Sequence, residues 1–286
     1  MRRIVFACLA AASLASALSC GRGGPRISPS EVAVVRVATL PDNPGDAAWK
    51  SAPAHPAALL LQDLVDPRLM EASTSRVDVQ AITDGVRIAF RLSWSDPTHD
   101  DRPGPAQFPD SCAVQLPARI GRDVPAPQMG EAGKGVEISY WRASWQAEVD
   151  GRKDSIDALY PNAAVDHYPF EAASLPADSP ERKAMALRYA PARALGNTMS
   201  GPRTNPVEDL IAEGPGTLKP AQTTRATGRG RRAKEGWEVV IARPLPEGLS
   251  GGARTQVAFA VWQGSHEEVG ARKMRTPWIP IFVEAK

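Results

Sequence analysis

The stretch Arg76-Val-Asp-Val-Gln-Ala-Ile82, followed by Asp84-Gly85 and Val86-Arg-Ile-Ala-Phe-Arg-Leu-Ser-Trp94, decides the fold. In both longer runs, apolar and polar residues alternate with period two, which indicates half-buried β-strands. Asp-Gly between two such runs is a strong signal for a β-hairpin. We therefore expect two antiparallel strands here, each with one face toward solvent or beneath loops.

Four further segments show the same alternation, residues 112–116, 135–145, 236–243 and 255–262. Short strands separated by turns are typical of a β-sandwich, and the 27 prolines and 23 glycines suit a chain with many turns. With 286 residues the chain is long enough for one large domain. We expect an all-β-dominated fold, an antiparallel β-sandwich with long loop excursions and a few short helices.

Residues 154–230 differ from the rest, because they contain prolines and few strand signals. The run 179–189 is helix-like. We interpret the region as a long ordered excursion over the sandwich, since loops of this length are usually functional. A basic cluster at its end is expected to be a solvated hairpin tip, with a docking patch as the alternative: Arg225, Arg229, Arg231, Arg232 and Lys234.

The N-terminus has the pattern of an export signal. Arg2 and Arg3 precede an apolar stretch, residues 4–18, that is too short to span a bilayer comfortably. Ala17-Leu18-Ser19-Cys20 resembles a lipoprotein cleavage box, and lipidation of Cys20 is favoured over an ordinary secretory signal. We expect a signal peptide at 1–19, a flexible tether at 20–33, a domain at 34–286, and a periplasmic protein with a lipid anchor at Cys20.

Charge and cysteines narrow the class of protein. The chain has 34 basic and 32 acidic residues, and removing Arg2 and Arg3 with the signal leaves equal numbers, which does not favour nucleic-acid binding. Cys112 is the one cysteine outside the signal and the lipid box, and there is no C-x-x-C-H motif for covalent haem. The four histidines lack zinc-site spacing, His55, His99, His167 and His266.

Neither the tryptophans nor the acidic residues suggest catalysis. The strand-borne tryptophans are expected to fill the sandwich core, Trp94, Trp141, Trp145, Trp237 and Trp262. Asp96, Asp100 and Asp101 are interpreted as a solvated turn rather than a calcium loop. No catalytic triad, carboxylate pair or phosphate loop stands out, so the chain is not expected to be an enzyme by itself.

Several motifs in order resemble one known family. They are Asp110-Ser-Cys-Ala-Val-Gln-Leu-Pro117, Pro127-Gln-Met-Gly130, Val136-Glu-Ile-Ser-Tyr-Trp-Arg-Ala-Ser-Trp145, Gly236-Trp-Glu-Val-Val-Ile-Ala-Arg-Pro244, Phe259-Ala-Val-Trp-Gln-Gly-Ser-His266 and Arg272-Lys273. Together they resemble the haem b-binding gamma subunits of ethylbenzene dehydrogenase, dimethylsulfide dehydrogenase, selenate reductase and chlorate reductase. The resemblance covers roughly residues 35–284.

That resemblance implies a β-sandwich holding one non-covalent haem b, with the iron bound by Met129 and Lys273. Residue chemistry alone favours a gap-filling role for a Met and a solvated role for a Lys. His266 is the main rival ligand, with a place at the haem edge or near a propionate as the alternative for it, and Met274 and His167 follow as rivals. Arg272 and Arg275 are expected to pair with haem propionates. Gln128 and Leu116 depart from the family, where Met and Phe are common at these positions.

The resemblance also implies a function and partners. It predicts an electron-transfer subunit in a heterotrimer with a molybdopterin catalytic subunit and an iron–sulfur subunit. Electrons would pass between the iron–sulfur subunit and a periplasmic c-type cytochrome or similar carrier, with catalysis in the molybdenum subunit. The alternative from another class is an exported ligand- or carbohydrate-binding β-sandwich lipoprotein without haem.

Overall fold

The computed structural model describes residues 30–153, 156–162 and 174–284. The predicted signal peptide, Cys20, the tether up to residue 29 and the rival ligand His167 lie outside these residues. Strand β1, Val32–Arg36, begins two residues before the predicted domain start, and its first residues are buried. The uninterrupted apolar run Val32-Ala-Val-Val35 explains this, because a strand covered on both faces needs no alternation.

Strands form most of the described part of the chain. After β1 they are β2 His55–Ala58, β3 Leu60–Leu61, β4 Arg76–Thr83, β5 Arg87–Ser95, β6 Ser111–Pro117, β7 Val136–Arg142, β8 Val207–Ala212, β9 Lys219–Pro220, β10 Thr227–Ala233, β11 Gly236–Pro244, β12 Arg254–Trp262, β13 Met274–Arg275 and β14 Ile279–Val283. The α-helices are α1 Ala143–Val149, α2 Ile156–Leu159, α3 Pro180–Arg188 and α4 Pro191–Ala194, and two 3-10 helices span Ala47–Ser51 and Gly264–His266. Among these helices, none has both the length and the apolar character that a bilayer crossing requires.

The strands form two hydrogen-bonded layers joined by one long strand. The first sheet has the order β10-β11-β5-β4-β1-β14, with β2 also paired to β4. The second has the order β12-β6-β7-β8-β9, with β13 beside β12 and β3 beside β13. Residues 254–257 of β12 pair with β14, and residues 258–262 pair with β6, so β12 connects the layers. The predicted β-sandwich is confirmed.

Aromatic rings fill the space between the two sheets. The ring of Phe90 on the first sheet lies 5.9 Å from that of Phe259 on the second. Trp141 on the second sheet contacts Trp94 and Trp237 on the first, at 6.4 and 5.1 Å between centroids. Burying rings of this size supplies much of the apolar area that holds such a sandwich together.

The hairpin expected at Asp84-Gly85 is confirmed. β4 and β5 pair antiparallel up to Thr83 opposite Ile88. The Asp84 carboxylate accepts hydrogen bonds from the backbone N–H groups of Val86 and Arg87, and Gly85 has φ 93°. The sheet also contains a feature that alternation did not predict, because β1 runs parallel to both β4 and β14.

Two expectations about strand content need correction. β7 ends at Arg142, and Trp145 lies on helix α1 rather than on a strand. The spacing of four residues between Trp141 and Trp145 fits a strand face and a helix face equally well, so the pattern did not distinguish them. The region 154–230 contains strands β8, β9 and β10, although its helix α3 is confirmed, with Ser179 as the N-cap.

The basic cluster is only partly at a hairpin tip, and the acidic loop is placed differently from the prediction. Lys234 lies in the turn between β10 and β11, whereas Arg229, Arg231 and Arg232 lie along edge strand β10. Arg231 pairs with Glu238, so part of this charge is compensated. Asp96 is completely buried rather than solvated. The Asp96 carboxylate accepts hydrogen bonds from the backbone N–H and the hydroxyl of Thr98. The described residues contain no cluster of three or more His, Cys, Asp or Glu suited to a metal ion.

Candidate functional site

A cavity of about 970 Å³ lies on the outer face of the second sheet. The strand register arranges its floor in two rows. One row runs Arg275, Ala260, Ala113, Tyr140 and Glu208, and the next runs Ala258, Gln115, Ile138 and Leu210. The residues between them in sequence, such as Phe259 and Val114, point into the sandwich core. The period-two alternation of the sequence therefore separates the core from the cavity.

Small side chains create the space. Ala113, Ala258 and Ala260 lie at the centre of the floor, and the larger Trp262 and Tyr140 stand beside them. Because alanine extends only one carbon from the backbone, the middle of the sheet is lower than its sides. Loops surround this depression and enclose it, which is a typical arrangement for a small-molecule site.

One loop, residues 125–130, brings Met129 over the floor; we call it the methionine loop. Trp278 Nε1 donates a hydrogen bond to the Pro125 carbonyl at 2.7 Å, and Gln115 Nε2 donates to the Pro127 carbonyl at 3.1 Å. The backbone N–H of Gly214 donates to the Met129 carbonyl at 2.8 Å. These contacts hold Met129 at φ 68°, a conformation that is uncommon for any residue except glycine.

A second loop, residues 263–273, brings Lys273 to the same place; we call it the lysine loop. Gln62 is buried and holds this loop, because its Nε2 donates to the Ala271 carbonyl at 3.1 Å and its backbone N–H donates to the Lys273 carbonyl at 3.0 Å. Trp262 Nε1 donates to the Gly270 carbonyl at 3.1 Å. The buried Glu268 carboxylate accepts from the Gln263 N–H and the Ser73 hydroxyl, and burial raises its pKa.

The two loops meet above the floor. Lys273 Nζ lies 3.9 Å from Met129 Sδ and 5.1 Å from the centroid of the Trp262 ring. Burial of the ammonium group lowers the pKa of Lys273 to about 8, and the nearby positive charge of Arg275 adds to the effect. The site therefore offers a soft thioether and an amine that loses its proton close to neutral pH, which are both metal-binding groups.

The other residues expected at the site divide between two faces. Arg275 lines the cavity, and its Nε atom is buried without a hydrogen-bond partner. Arg272 lies with its guanidinium 5.9 Å from the Phe108 ring and does not line the cavity, nor does His266 in the 3-10 helix Gly264–His266. Met274 packs in the sandwich core. Period-two alternation explains the division, since Lys273 and Arg275 share the face opposite to Arg272 and Met274.

The structure also adds cavity residues that the sequence reasoning missed. Arg142 and Glu208 line the wall formed by β7 and β8. Glu208 is 3% exposed, its Oε1 atom has no hydrogen-bond partner, and its other oxygen is 3.5 Å from Arg203. Tyr140 donates a hydrogen bond to Ser111 and contacts the Trp262 ring at 5.3 Å. The period-two alternation along β7 places Tyr140 and Arg142 on the same face of the strand. This alternation was the sequence feature from which their shared position could have been predicted.

The chain is thus a β-sandwich protein with a cavity on the outer face of one sheet. A family model described as ethylbenzene dehydrogenase matches residues 46–274, and the chain belongs to this family. It is 25% identical over 245 residues to the ORF7 heme subunit of a respiratory nitrate reductase from Haloferax mediterranei, covering 83% of this chain and 67% of that protein. It is 26% identical over 234 residues to the chlorate reductase subunit gamma of Ideonella dechloratans, covering 79% of this chain and 72% of that subunit.

Among solved structures, the chain is similar to a carbohydrate-binding module of family 9 from Caldicellulosiruptor kristjanssonii in complex with cellotriose. The TM-score is 0.44 at 9% identity, and the match covers 90% of this chain and 94% of the module. The same module in complex with glucose matches with a TM-score of 0.42, also at 9% identity, covering 90% of this chain and 96% of the module.

Proposed function

We propose that this chain is an exported haem b-binding electron-transfer subunit of a molybdenum oxidoreductase complex, with Met129 and Lys273 as the iron ligands. The observation that carries the proposal is the 3.9 Å separation of Met129 Sδ and Lys273 Nζ in the cavity. The two residues are 144 positions apart in the chain, so the fold and not local sequence brings them together. The family membership supports the same assignment.

The donor pair fits a metal ion. A thioether and an amine are both metal-binding groups, and the 3.9 Å between Met129 Sδ and Lys273 Nζ is short enough for one metal ion to contact both. Lys273 must bind as the neutral amine, and its pKa of about 8 makes that form accessible near neutral pH.

The cavity also fits a large, mostly apolar molecule with carboxylates. Its volume of about 970 Å³ is at the upper end of ligand pockets, which span roughly 300–1,000 Å³. The alanines of the floor and the ring of Trp262 give it apolar surfaces. Arg275 and Arg142 line it, and guanidinium groups suit propionate carboxylates. In this proposal Arg142 takes the place predicted for Arg272, whose guanidinium lies by Phe108.

Each residue has a defined task in this function. Haem iron, when bound, supplies one-electron redox chemistry. The Met129 thioether is a soft ligand that favours the ferrous state, and the Lys273 amine is held by the lysine loop, which Gln62 fastens. The surrounding loops exclude water, and the protein thereby sets the reduction potential through ligand choice and burial.

The assembly belongs to the same proposal. The matched relatives are a heme subunit and a gamma subunit of reductases, which supports a role beside other subunits. The partners we propose are a molybdopterin catalytic subunit and an iron–sulfur subunit, with a periplasmic c-type cytochrome or similar carrier. Catalysis then belongs to the molybdenum subunit, and the chain is periplasmic, with Cys20 as its lipid anchor.

The test is to express the full chain with an adequate haem supply and to record oxidised and reduced visible spectra. We expect Soret and α bands of a six-coordinate haem, and haem that acid–acetone extracts because it is not covalently attached. A protein without these bands and without extractable haem contradicts the proposal and favours the exported ligand- or carbohydrate-binding lipoprotein. A haem retained after acid–acetone treatment contradicts the non-covalent b type.

A further inference from the structure

One part of the described chain contains no fully buried residue. Residues 174–205 include helices α3 and α4, and each of these residues is half-buried or exposed. We call residues 180–199 the basic hairpin. Helices in proteins gain most of their stability from burying one face, and isolated helices shorter than about 12–15 residues are marginal in water. A covering surface would therefore stabilise the nine-residue helix α3.

The basic hairpin exposes apolar side chains beside the cavity. Leu187, Tyr189, Leu195 and Met199 are 40%, 62%, 88% and 47% exposed. Leu195 and Met199 line the cavity, as do the exposed Leu218 and Val269 from other loops. Leu195, Met199, Leu218 and Val269 thus give the cavity an exposed apolar rim, and exposed apolar surface is a feature of interaction sites.

The charge of the basic hairpin indicates what covers it. It contains four basic residues and one acidic residue, Glu181, which gives a formal net charge of +3: Arg182, Lys183, Arg188 and Arg193. Like charges disfavour contact with the same patch on a second copy. Charged and apolar residues alternate around α3, Glu181-Arg-Lys-Ala-Met-Ala-Leu-Arg188, so the helix lacks the single apolar face of a membrane-surface helix. An acidic protein surface that also carries apolar residues would complement both the positive charge and the exposed apolar side chains of the basic hairpin.

We propose that the basic hairpin and the apolar rim dock onto an acidic surface of the iron–sulfur subunit, which covers the cavity mouth. This inference rests on the proposed function, because it identifies where electrons leave or enter the cavity. Complementary charge accelerates such an encounter and makes it sensitive to salt, while the apolar rim stabilises the docked complex. Docking at the mouth also brings the partner close to the residues that line the cavity.

Zero-length cross-linking of the haem-loaded complex tests the proposal directly. The full-length tagged chain is purified with its co-expressed molybdenum and iron–sulfur subunits and treated with a carbodiimide, which joins a lysine amine to a carboxylate. Lys183 is the one lysine of the basic hairpin. We expect peptides that link Lys183 to Asp or Glu of the iron–sulfur subunit. Lys50 is the exposed control, and we expect no link from it to the iron–sulfur subunit. It lies in the 3-10 helix Ala47–Ser51, whose Trp49 packs in an apolar cluster separate from the cavity.

Charge reversal provides the second measurement. Lys183→Glu with Arg193→Glu should lower retention of the iron–sulfur subunit at least tenfold at low salt and leave the haem spectrum unchanged. Lys50→Glu should leave retention of the iron–sulfur subunit unchanged. Four results overturn the proposal in a haem-loaded protein: no link from Lys183, a link to a second copy, a link to an acid of the same chain, or charge-dependent binding to anionic vesicles in place of the subunit. A protein without haem overturns the proposed function instead.

Discussion

The methionine loop and the lysine loop hold their key residues in different kinds of unfavourable state. Both are fastened by side chains that donate hydrogen bonds to loop carbonyls, Gln115 and Trp278 for the first and Gln62 and Trp262 for the second. The methionine loop holds an unfavourable backbone, with Met129 at φ 68°. The lysine loop holds an unfavourable charge, since burial lowers the pKa of Lys273 to about 8.

This difference follows from the chemistry of the two donors. A thioether carries no proton at physiological pH, so the protein has only to position it. An amine must also lose its proton before it can bind a metal, so the protein has to position it and remove it from water. We therefore expect the lysine loop to control affinity and pH dependence, and the methionine loop to control geometry.

The largest expected effect is the loss of a donor. Lys273→Leu and Met129→Leu should each weaken haem binding more than about 100-fold, since even residues that only support a ligand contribute 10–100-fold. Haem titration followed at the Soret band measures this. Lys219→Leu is the matched control, because Lys219 lines the same cavity but is exposed. Unchanged affinity and unchanged spectra in both donor variants would mean that the ligand assignment is wrong.

The next effect concerns the haem-free protein and its pH dependence. Between pH about 8 and 10.5 the unfolded chain keeps the proton on Lys273 while the folded chain has lost it, so the free energy of unfolding should rise with pH. The rise attributable to Lys273 is at most about 3 kcal/mol, at 1.36 kcal/mol per pKa unit. Denaturant unfolding at several pH values measures it. In Lys273→Leu this component should disappear, and an identical pH profile in the variant would refute the lowered pKa.

Removing a fastening of the lysine loop should have a smaller effect than removing the donor. Gln62→Leu eliminates side-chain hydrogen bonds to the 263–273 loop and to residues 64 and 65. We expect haem affinity to fall about 10–100-fold, with a shift in reduction potential because the amine is less well placed. Gln80→Leu is the control, since Gln80 also donates to two carbonyls, but of Trp49 and Ala52. Equal losses in both variants would indicate a general structural effect.

The methionine loop offers a test of backbone strain. Glycine adopts positive φ without penalty, so Met129→Gly should be more stable than Met129→Ala by about 1 kcal/mol in the haem-free protein. At ordinary strand or helix positions the order is reversed. Thermal or denaturant unfolding of the two variants gives the difference, and a more stable alanine variant would show that residue 129 does not hold a left-handed conformation in solution.

The sequence predicted the strands best where burial is one-sided. Alternation in residues 255–262 places Ala258, Ala260 and Trp262 on one face and Phe259 and Val261 on the other, and the structure uses these faces for the cavity and the core. Strand β8 was missed, because Glu208 is buried against the cavity wall and disguises the alternation. Strand β10 was missed because its apolar positions are glycines, and Gly230 packs directly under Trp141.

The candidate site was predictable only through family resemblance. No local pattern joins Met129 to Lys273 across 144 positions, and each residue taken alone suggests a gap-filling or solvated side chain. Arg142 was visible as an alternating residue, but which face of the second sheet carries the cavity depends on how the loops fold over it. The alternation of apolar and polar residues in a single strand does not predict which face of the sheet distant loops will cover.

The smallest expected effect separates the lysine loop from its neighbour His266. Imidazole is the usual haem ligand, and His266 lies only seven positions before Lys273. It sits in the 3-10 helix Gly264–His266 and does not line the cavity. His266→Ala should therefore leave the haem content, the visible spectra and the reduction potential unchanged within error. Loss of the low-spin spectrum in this variant would mean that the His266 imidazole, and not the Lys273 amine, binds the iron. The lowered pKa of Lys273 would then have no connection with iron binding.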